Sequence, residues 1–211
     1  MTTASTMTYD SLVENIQSYL ERTDTATVEK IPLFIMLAEQ IIASQIKFLG
    51  NLTPMTSTMT ATQAVIDKPA RWHKTVSMNV TVSGERMPVL LRKYEYLREY
   101  APTSTTTGVP VYYGDYDYTH WLVAPAPDLN YDFEVLYYER VQPLDSTNQT
   151  NWFTTYAPQA LLYGSLLQSM PFLKNDERMG MWQQNYDLIM QTLKTEDTQR
   201  IGDRQAAVLD T

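Results

Sequence analysis

Few side chains in this sequence have the type and spacing to do covalent chemistry. It contains two histidines, His73 and His120, each beside a tryptophan and far apart in the chain. A Ser-His-Asp relay or a histidine metal site would have to be built around one ring alone, and a lone histidine in a strand is more often structural or solvated. Asp115 and Asp117 flank Tyr116 and offer paired carboxylates to a divalent cation, as in sugar-nucleotide enzymes. The competing reading, favoured by Gly114, is a turn between two strands. Ser165 follows a glycine, but inside a helical pattern, without the strand-to-helix elbow that exposes a nucleophile. Cysteine is absent, which removes disulfides, thiol catalysis and thiolate metal sites. A glycine-rich phosphate loop is also missing. The expectation is a protein that is not an enzyme, with no catalytic residue, no metal and no cofactor.

Tyrosine is the unusual component, with 15 copies against 5 phenylalanines, many of them between Tyr94 and Tyr138. Such a set suits a stacking platform for glycans or nucleic acid, or an interface between proteins, where a rigid ring with a hydrogen-bonding tip is enriched. The chain carries 16 basic and 24 acidic residues, a net charge of −8, which argues against gripping phosphates along a basic face. Residues 53–100 hold seven basic and four acidic side chains, whereas 101–150 hold one basic and seven acidic. Neighbouring stretches of opposite sign suit head-to-tail contact between identical subunits. A solvated asymmetry with no partner stands beside that reading. The candidate subunit-interface residues are Tyr112, Tyr113, Tyr116 and Tyr118 with Arg92 and Arg98.

The elements that must position these residues follow from hydrophobic periodicity, which runs helix, strand, helix and then a polar tail. Leu12, Val13, Ile16, Tyr19 and Leu20 predict a helix over 9–21, with Ser11 and Glu14 as its capping box. A second helix is predicted over 30–49, with Pro32 in its first turn. Its apolar residues cover most of the circumference, so neighbours must enclose it on several sides. Alternation of Val76, Met78, Val80 and Val82 predicts a strand, turning at Ser83-Gly84-Glu85 into a partner over 87–91. A short helix follows over 92–100, then strands over 109–113, 119–124 and 131–140, which together read as an antiparallel meander. Helical spacing returns with Leu162, Leu166, Met170 and Leu173, where Ala160 and Gly164 leave room for a partner backbone. The last helix carries Met179, Trp182, Tyr186, Ile189 and Leu193 and is expected to end near Lys194.

A chain of 211 residues holds one elaborated domain or two small ones. The segments predict an α+β fold: a four-helix bundle with an inserted antiparallel β domain and an extended C-terminal arm. Residues 1–52 and 151–196 supply the two helical hairpins, 53–150 the β domain, and 197–211 the tail, too polar to make a core of its own. The N-terminus has neither a basic stretch nor an apolar core, and no run approaches the roughly 18 apolar residues of a bilayer span. A soluble, non-secreted protein with no membrane partner is expected, its sequons at Asn51, Asn79 and Asn148 being chance matches.

Several segments together resemble the head-to-tail adaptor, or connector, proteins of short-tailed bacteriophages. They are Ile31-Pro32-Leu33 leading into Ala38-Glu39, Tyr94-Glu95-Tyr96-Leu97-Arg98 followed by Pro102, Gly108 to Tyr113, and Leu122 to Asp128. Tyr137-Tyr138-Glu139, Pro143-Leu144, Thr150-Asn151-Trp152, and Ala157 to Tyr163 leading through Phe172-Leu173 to Tyr186 complete the set, over about residues 9–196. The resemblance implies a non-enzymatic virion component at the neck between head and tail, assembled in the host cytoplasm. It implies a ring, typically of twelve copies in that family, which docks under the portal protein, extends the DNA channel and carries the tail nozzle or tail fibre proteins. Genomic DNA would pass through the lumen without specific binding, as an acidic wall repels phosphate. On this resemblance 197–211 is the portal-docking segment, with Arg200, Ile201, Arg204, Val208 and Leu209 as its contacts. Two alternatives remain beside it: a tail or receptor-binding module touching glycans through the tyrosine-rich region, which ligand-dependent fluorescence of Trp121 would reveal, and a hydrolase or transferase built on Asp115 and Asp117.

Overall fold

The computed structural model describes residues 7–46, 51–103, 105–173 and 177–206, with the backbone alone over 200–206. The chain divides into a helical unit, residues 1–50 with 141–211, and a β unit, residues 51–140. The second boundary falls where the last strand ends, ten residues before the position expected from the sequence, because Val141 and Leu144 join the helical core.

In the helical unit, α1 (Tyr9–Leu20) starts one turn earlier than its predicted cap. Thr8 is the N-cap, its side chain accepting from the Ser11 N–H while Ser11 accepts from the Thr8 N–H, so Ser11 closes the capping box and Glu14 takes no part. A single turn, α2 (Thr25–Val28), is capped by Asp24. Helix α3 (Ile31–Gln45) takes Pro32 in its first turn, as expected, and ends sooner, with Ile46 already extended. After the β unit come α5 (Trp152–Tyr156), capped reciprocally by Asn151 and Thr154, α6 (Pro158–Leu173) and α7 (Met179–Ala206). Packing is centred on α6, which touches α1, α3, α5 and α7. Leu12, Ile16, Ile31, Ile35, Ile42, Phe153, Leu161, Leu166 and Trp182 are almost wholly buried there. Gly164 is the close-approach point: a Cβ added to it would lie 3.3 Å from both the Ala38 methyl and the Tyr186 ring. The neighbours are side chains of α3 and α7, not a partner backbone.

Helix α7 corrects the expected tail. It does not stop near Lys194 but runs 28 residues to Ala206, so residues 197–206, expected to be extended, are helical, and 207–211 lie outside the described residues. The stretch lacks an apolar stripe, yet it contains no proline, and extending an existing helix costs far less than nucleating one.

The β unit contains β1 (Leu52–Met59), β2 (Val65–Asp67), β3 (Trp72–Val82), β4 (Glu85–Leu91), α4 (Tyr94–Tyr100), β5 (Thr107–Gly108), β6 (Tyr112–Asp115), β7 (His120–Ala124), β8 (Ala126–Pro127) and β9 (Tyr131–Glu139). Seven strands form one sheet in the order β1-β9-β3-β4-β6-β7-β2, and β5 pairs with β8 separately. This is not the expected meander. β9 inserts between β1 and β3, and β4 pairs with β6 in parallel, at Leu90 with Tyr112 and Leu91 with Tyr113. A parallel pair needs a crossover, which α4 supplies. The β3–β4 hairpin closes on Ser83 and Gly84, both with positive φ, the left-handed conformation that two-residue hairpins require.

On β9 the inward residues alternate as Tyr131, Phe133, Val135 and Tyr137. On β3 the alternation fails at Val76, which is 39% exposed while Met78 and Val80 are buried. A register shift between Thr75 and Ser77 reverses the phase of the strand there.

Candidate interaction surface

The residues with chemical potential are used up in local structure. Asp117 makes the β6–β7 turn: one carboxylate oxygen accepts from the Thr119 N–H at 2.7 Å and the His120 N–H at 2.8 Å, and the carboxylate pairs with His120 Nδ1 at 2.8 Å. Partial burial pushes this carboxyl up, but the bonds from Thr119 and His120 outweigh it and hold it down at about 2. On its other edge His120 faces Asp67, at 3.2 Å from Nε2. Asp115 accepts from Lys68, whose side chain is buried and also donates to the Asp117 carbonyl. The two carboxylates are therefore engaged by different partners, and no group of metal-ligating side chains occurs among the described residues. Ser165 is fully buried and donates to the Leu161 carbonyl of its own helix at 2.7 Å. His73 is exposed on β3.

The opposite charges of the two halves of the β unit meet inside one subunit. Arg71 pairs with Glu139, Arg86 with Glu134 and Lys68 with Asp115. Because β9 lies beside β3, with β4 one strand further on, and Lys68 follows β2 while Asp115 ends β6, part of the asymmetry that suggested subunit pairing is neutralised within the fold.

What the fold does assemble is an aromatic surface. Tyr96 and Tyr100, one turn apart on α4, stack at 6.3 Å, and both meet the edge of Tyr112 on β6, at 5.3 and 4.9 Å. The Arg92 guanidinium lies 5.3 Å from the Tyr112 ring and 5.8 Å from Tyr96. Arg98 lies over Tyr94 and donates to its hydroxyl at 3.0 Å, and Tyr94 contacts Tyr116. Leu90, Leu91 and Val111 are exposed as well. Edge-to-face rings and arginine on ring faces are each worth about 0.5–1.5 kcal/mol, so this set is ordered before anything binds it.

Helix α4 can seat on β6 because position 114 is glycine. A Cβ there would lie 2.6 Å from the Arg92 carbonyl oxygen and 2.7 Å from Leu97 Cδ1.

Of the residues expected at a subunit interface, the fold brings together Tyr112, Tyr116, Arg92 and Arg98. Tyr118 stands apart at the hairpin tip, 73% exposed, with Arg140 over its ring. Tyr113 is a correction: it is 4% exposed, part of the β-unit core, with burial raising its phenol above the ordinary value. Alternation along β6 sends it to the opposite face from Tyr112. Trp121 is likewise buried at 1% exposure and cannot report on a surface ligand by direct contact. Sequence reasoning missed Tyr94, Tyr96 and Tyr100 as members of the patch, although their spacing on a short helix was the available signal. Arg200, Ile201 and Arg204 fall on the last turns of α7, and Val208 and Leu209 lie outside the described residues.

The chain matches the SU10 adaptor protein family over residues 7–208, almost its entire length, and it belongs to that family. No curated protein matches it. Family membership makes it a phage adaptor-type structural protein.

Proposed function

We infer that this member of the SU10 adaptor family is the ring-forming subunit at the head-to-tail junction of a short-tailed phage. Copies, twelve in the arrangement expected from the family resemblance, dock on the portal protein, prolong the DNA channel and present a platform to the tail nozzle or tail fibre proteins. Assembly takes place in the host cytoplasm and the product is a virion component. The family match across residues 7–208 carries this reading. Two features support it. The aromatic patch joins exposed tyrosines with Arg92 and Arg98 against their rings, side chains enriched at protein interfaces, and the net charge of −8 suits a wall past which DNA must slide.

In this reading the segment 197–211 contacts the portal, through Arg200, Ile201, Arg204, Val208 and Leu209. The test is to mix the purified chain with portal-bearing heads and examine the complexes by electron microscopy. A ring with rotational symmetry under the portal is the expected outcome; absence of any head-bound chain would overturn the proposal. Deletion of 197–211 is expected to abolish attachment, and undiminished attachment would remove the segment from the portal contact.

A further inference from the structure

Salt bridges use up much of the charge of the β unit, but three cations are left over. Arg92, Lys93 and Arg98 are exposed and make no ion pair among the described residues. Glu95 and Glu99, one turn apart, project from the side of α4 opposite buried Leu97. A guanidinium has five donors, and one resting on ring faces, as Arg92 does on Tyr112 and Tyr96, still presents N–H groups at its edge, the geometry that takes a carboxylate. Beside it stands Leu90, which pairs with Tyr112 across β4 and β6 and so shares its face; Leu90, Tyr96 and Tyr100 are all more than two-fifths exposed. The patch is thus an apolar surface flanked by unpaired positive charge, on a chain whose net charge is −8.

The reverse arrangement stands on the turn between β8 and β9. Leu129 is 63% exposed there, between Asp128 and Asn130. Asp128 and, just beyond the turn, Asp132 are exposed and form no salt bridge among the described residues. The turn is held in place before anything binds it. The Asn130 side-chain oxygen accepts from the Ala61 N–H at 2.9 Å, the Pro127 carbonyl from the Thr62 N–H at 2.7 Å, and Asp128 Oδ1 from the Tyr131 hydroxyl at 2.7 Å. Oδ2 of Asp128 is left for another donor.

Turn and patch lie at opposite ends of the strands. Val80 pairs with both Phe133 and Met87, which sets the start of β9 level with Glu85. Leu90 is five residues, about 17 Å, further along β4. One subunit cannot bring them together, and two copies can.

We propose that the Asp128-Leu129-Asn130 turn of a second copy of this chain docks on the tyrosine patch, Leu129 against Leu90 and the rings of Tyr96, Tyr100 and Tyr112, with Arg92 taking the Asp128 carboxylate. Charge complementarity selects this occupant: an apolar side chain beside carboxylates free of salt bridges meets an apolar surface beside cations free of them. Because the two surfaces differ, the contact is heterologous and repeats from copy to copy until it closes. It rests on the adaptor reading and adds to it which surfaces meet.

The lack of cysteine makes a direct test possible. In the double variant Leu90→Cys, Leu129→Cys, mild oxidation of the assembled protein, free or on portal-bearing heads, is expected to give a ladder of covalent oligomers, and either single variant nothing beyond a dimer. The pair cannot close within one chain, because a disulfide needs Cα atoms within about 7 Å. Arg92→Glu and Asp128→Arg should each weaken self-association at least tenfold, and their combination should restore it, which a loss of fold in either would not allow. Leu129→Ser should weaken it to a similar degree with an unchanged thermal midpoint. Wild-type protein that assembles, while the double-cysteine variant gives no ladder and the charge exchange no rescue, would overturn this contact and leave the adaptor reading intact. Normal assembly of Leu129→Ser with loss of tail-protein recruitment would assign the turn to a different protein and overturn the contact as well. Wild-type protein that assembles in neither setting would bring down the adaptor reading and this contact together.

Discussion

Glu39 shows how one buried carboxylate ties together segments far apart in the chain. Its Oε1 accepts from the Asn151 side-chain amide at 2.6 Å and its Oε2 from the Leu144 N–H at 3.2 Å. Burial raises its pKa above the ordinary 4.5, opposed by these two hydrogen bonds. The folded protein therefore keeps this proton at pH values where the unfolded chain has lost it, and the native state is favoured at the acid end. Stability from this group is expected to fall as pH rises from about 4.5 through the folded value, a slope that Glu39→Gln should flatten in chemical denaturation at several pH values. Glu39→Ala, which strands both donors, should cost about 2–3 kcal/mol by the same measurement. Asp117 has the opposite sign. Depressed from 3.8 to about 2, it supports the folded β6–β7 turn above pH 4 and withdraws that support as pH falls toward 2. Carboxyl carbon chemical shifts should place its midpoint near 2, and a midpoint at the ordinary value would show that the turn bonds do not hold in solution.

At the scale of elements, Gly114 couples a helix to a strand. Gly114→Ala must displace both the Arg92 carbonyl and Leu97, and because the first is backbone, the segment leading into α4 has to shift. A loss of about 1–3 kcal/mol is expected, together with a change in the near-ultraviolet dichroism of the tyrosines α4 carries; an unchanged spectrum would show that α4 is not held there. The legibility of the elements follows the same physics. Helices with a clear apolar stripe, such as 9–20, were readable to within a residue, as was the β3–β4 turn with Gly84. β1 was not, since Leu52 to Met59 contains Pro54 and only one fully buried residue, the mark of an edge strand whose pairing is visible only in three dimensions. The parallel β4–β6 contact and the place of β9 in the sheet depend on distant partners that no local pattern encodes. Tyr113 was misplaced because one residue of register exchanges surface for core. The tyrosines on α4 were legible as residues but not as a cluster, since Tyr112 joins them across a gap in sequence.

For the molecule as a whole, two separate cores make two separable stabilities. Ile35 in the helical unit and Val135 in the β unit are both fully buried. Ile35→Ala should cost about 2–5 kcal/mol and Val135→Ala somewhat less, with effects that add because the sites share no partners. Hydrogen exchange should show the loss of protection confined to the unit that carries each substitution; spreading of either effect through both units would mean that they unfold as one.

The interruption of the helical unit by the β unit also has a cost during translation. α3 leaves the ribosome more than a hundred residues ahead of α6, the helix that covers it. At about 5–20 residues per second that interval lasts roughly 6–20 s, during which a nearly charge-free helix waits with its sticky side bare. High expression should outrun this maturation and drive nascent chains into inclusion bodies, and slower synthesis at low temperature should recover them.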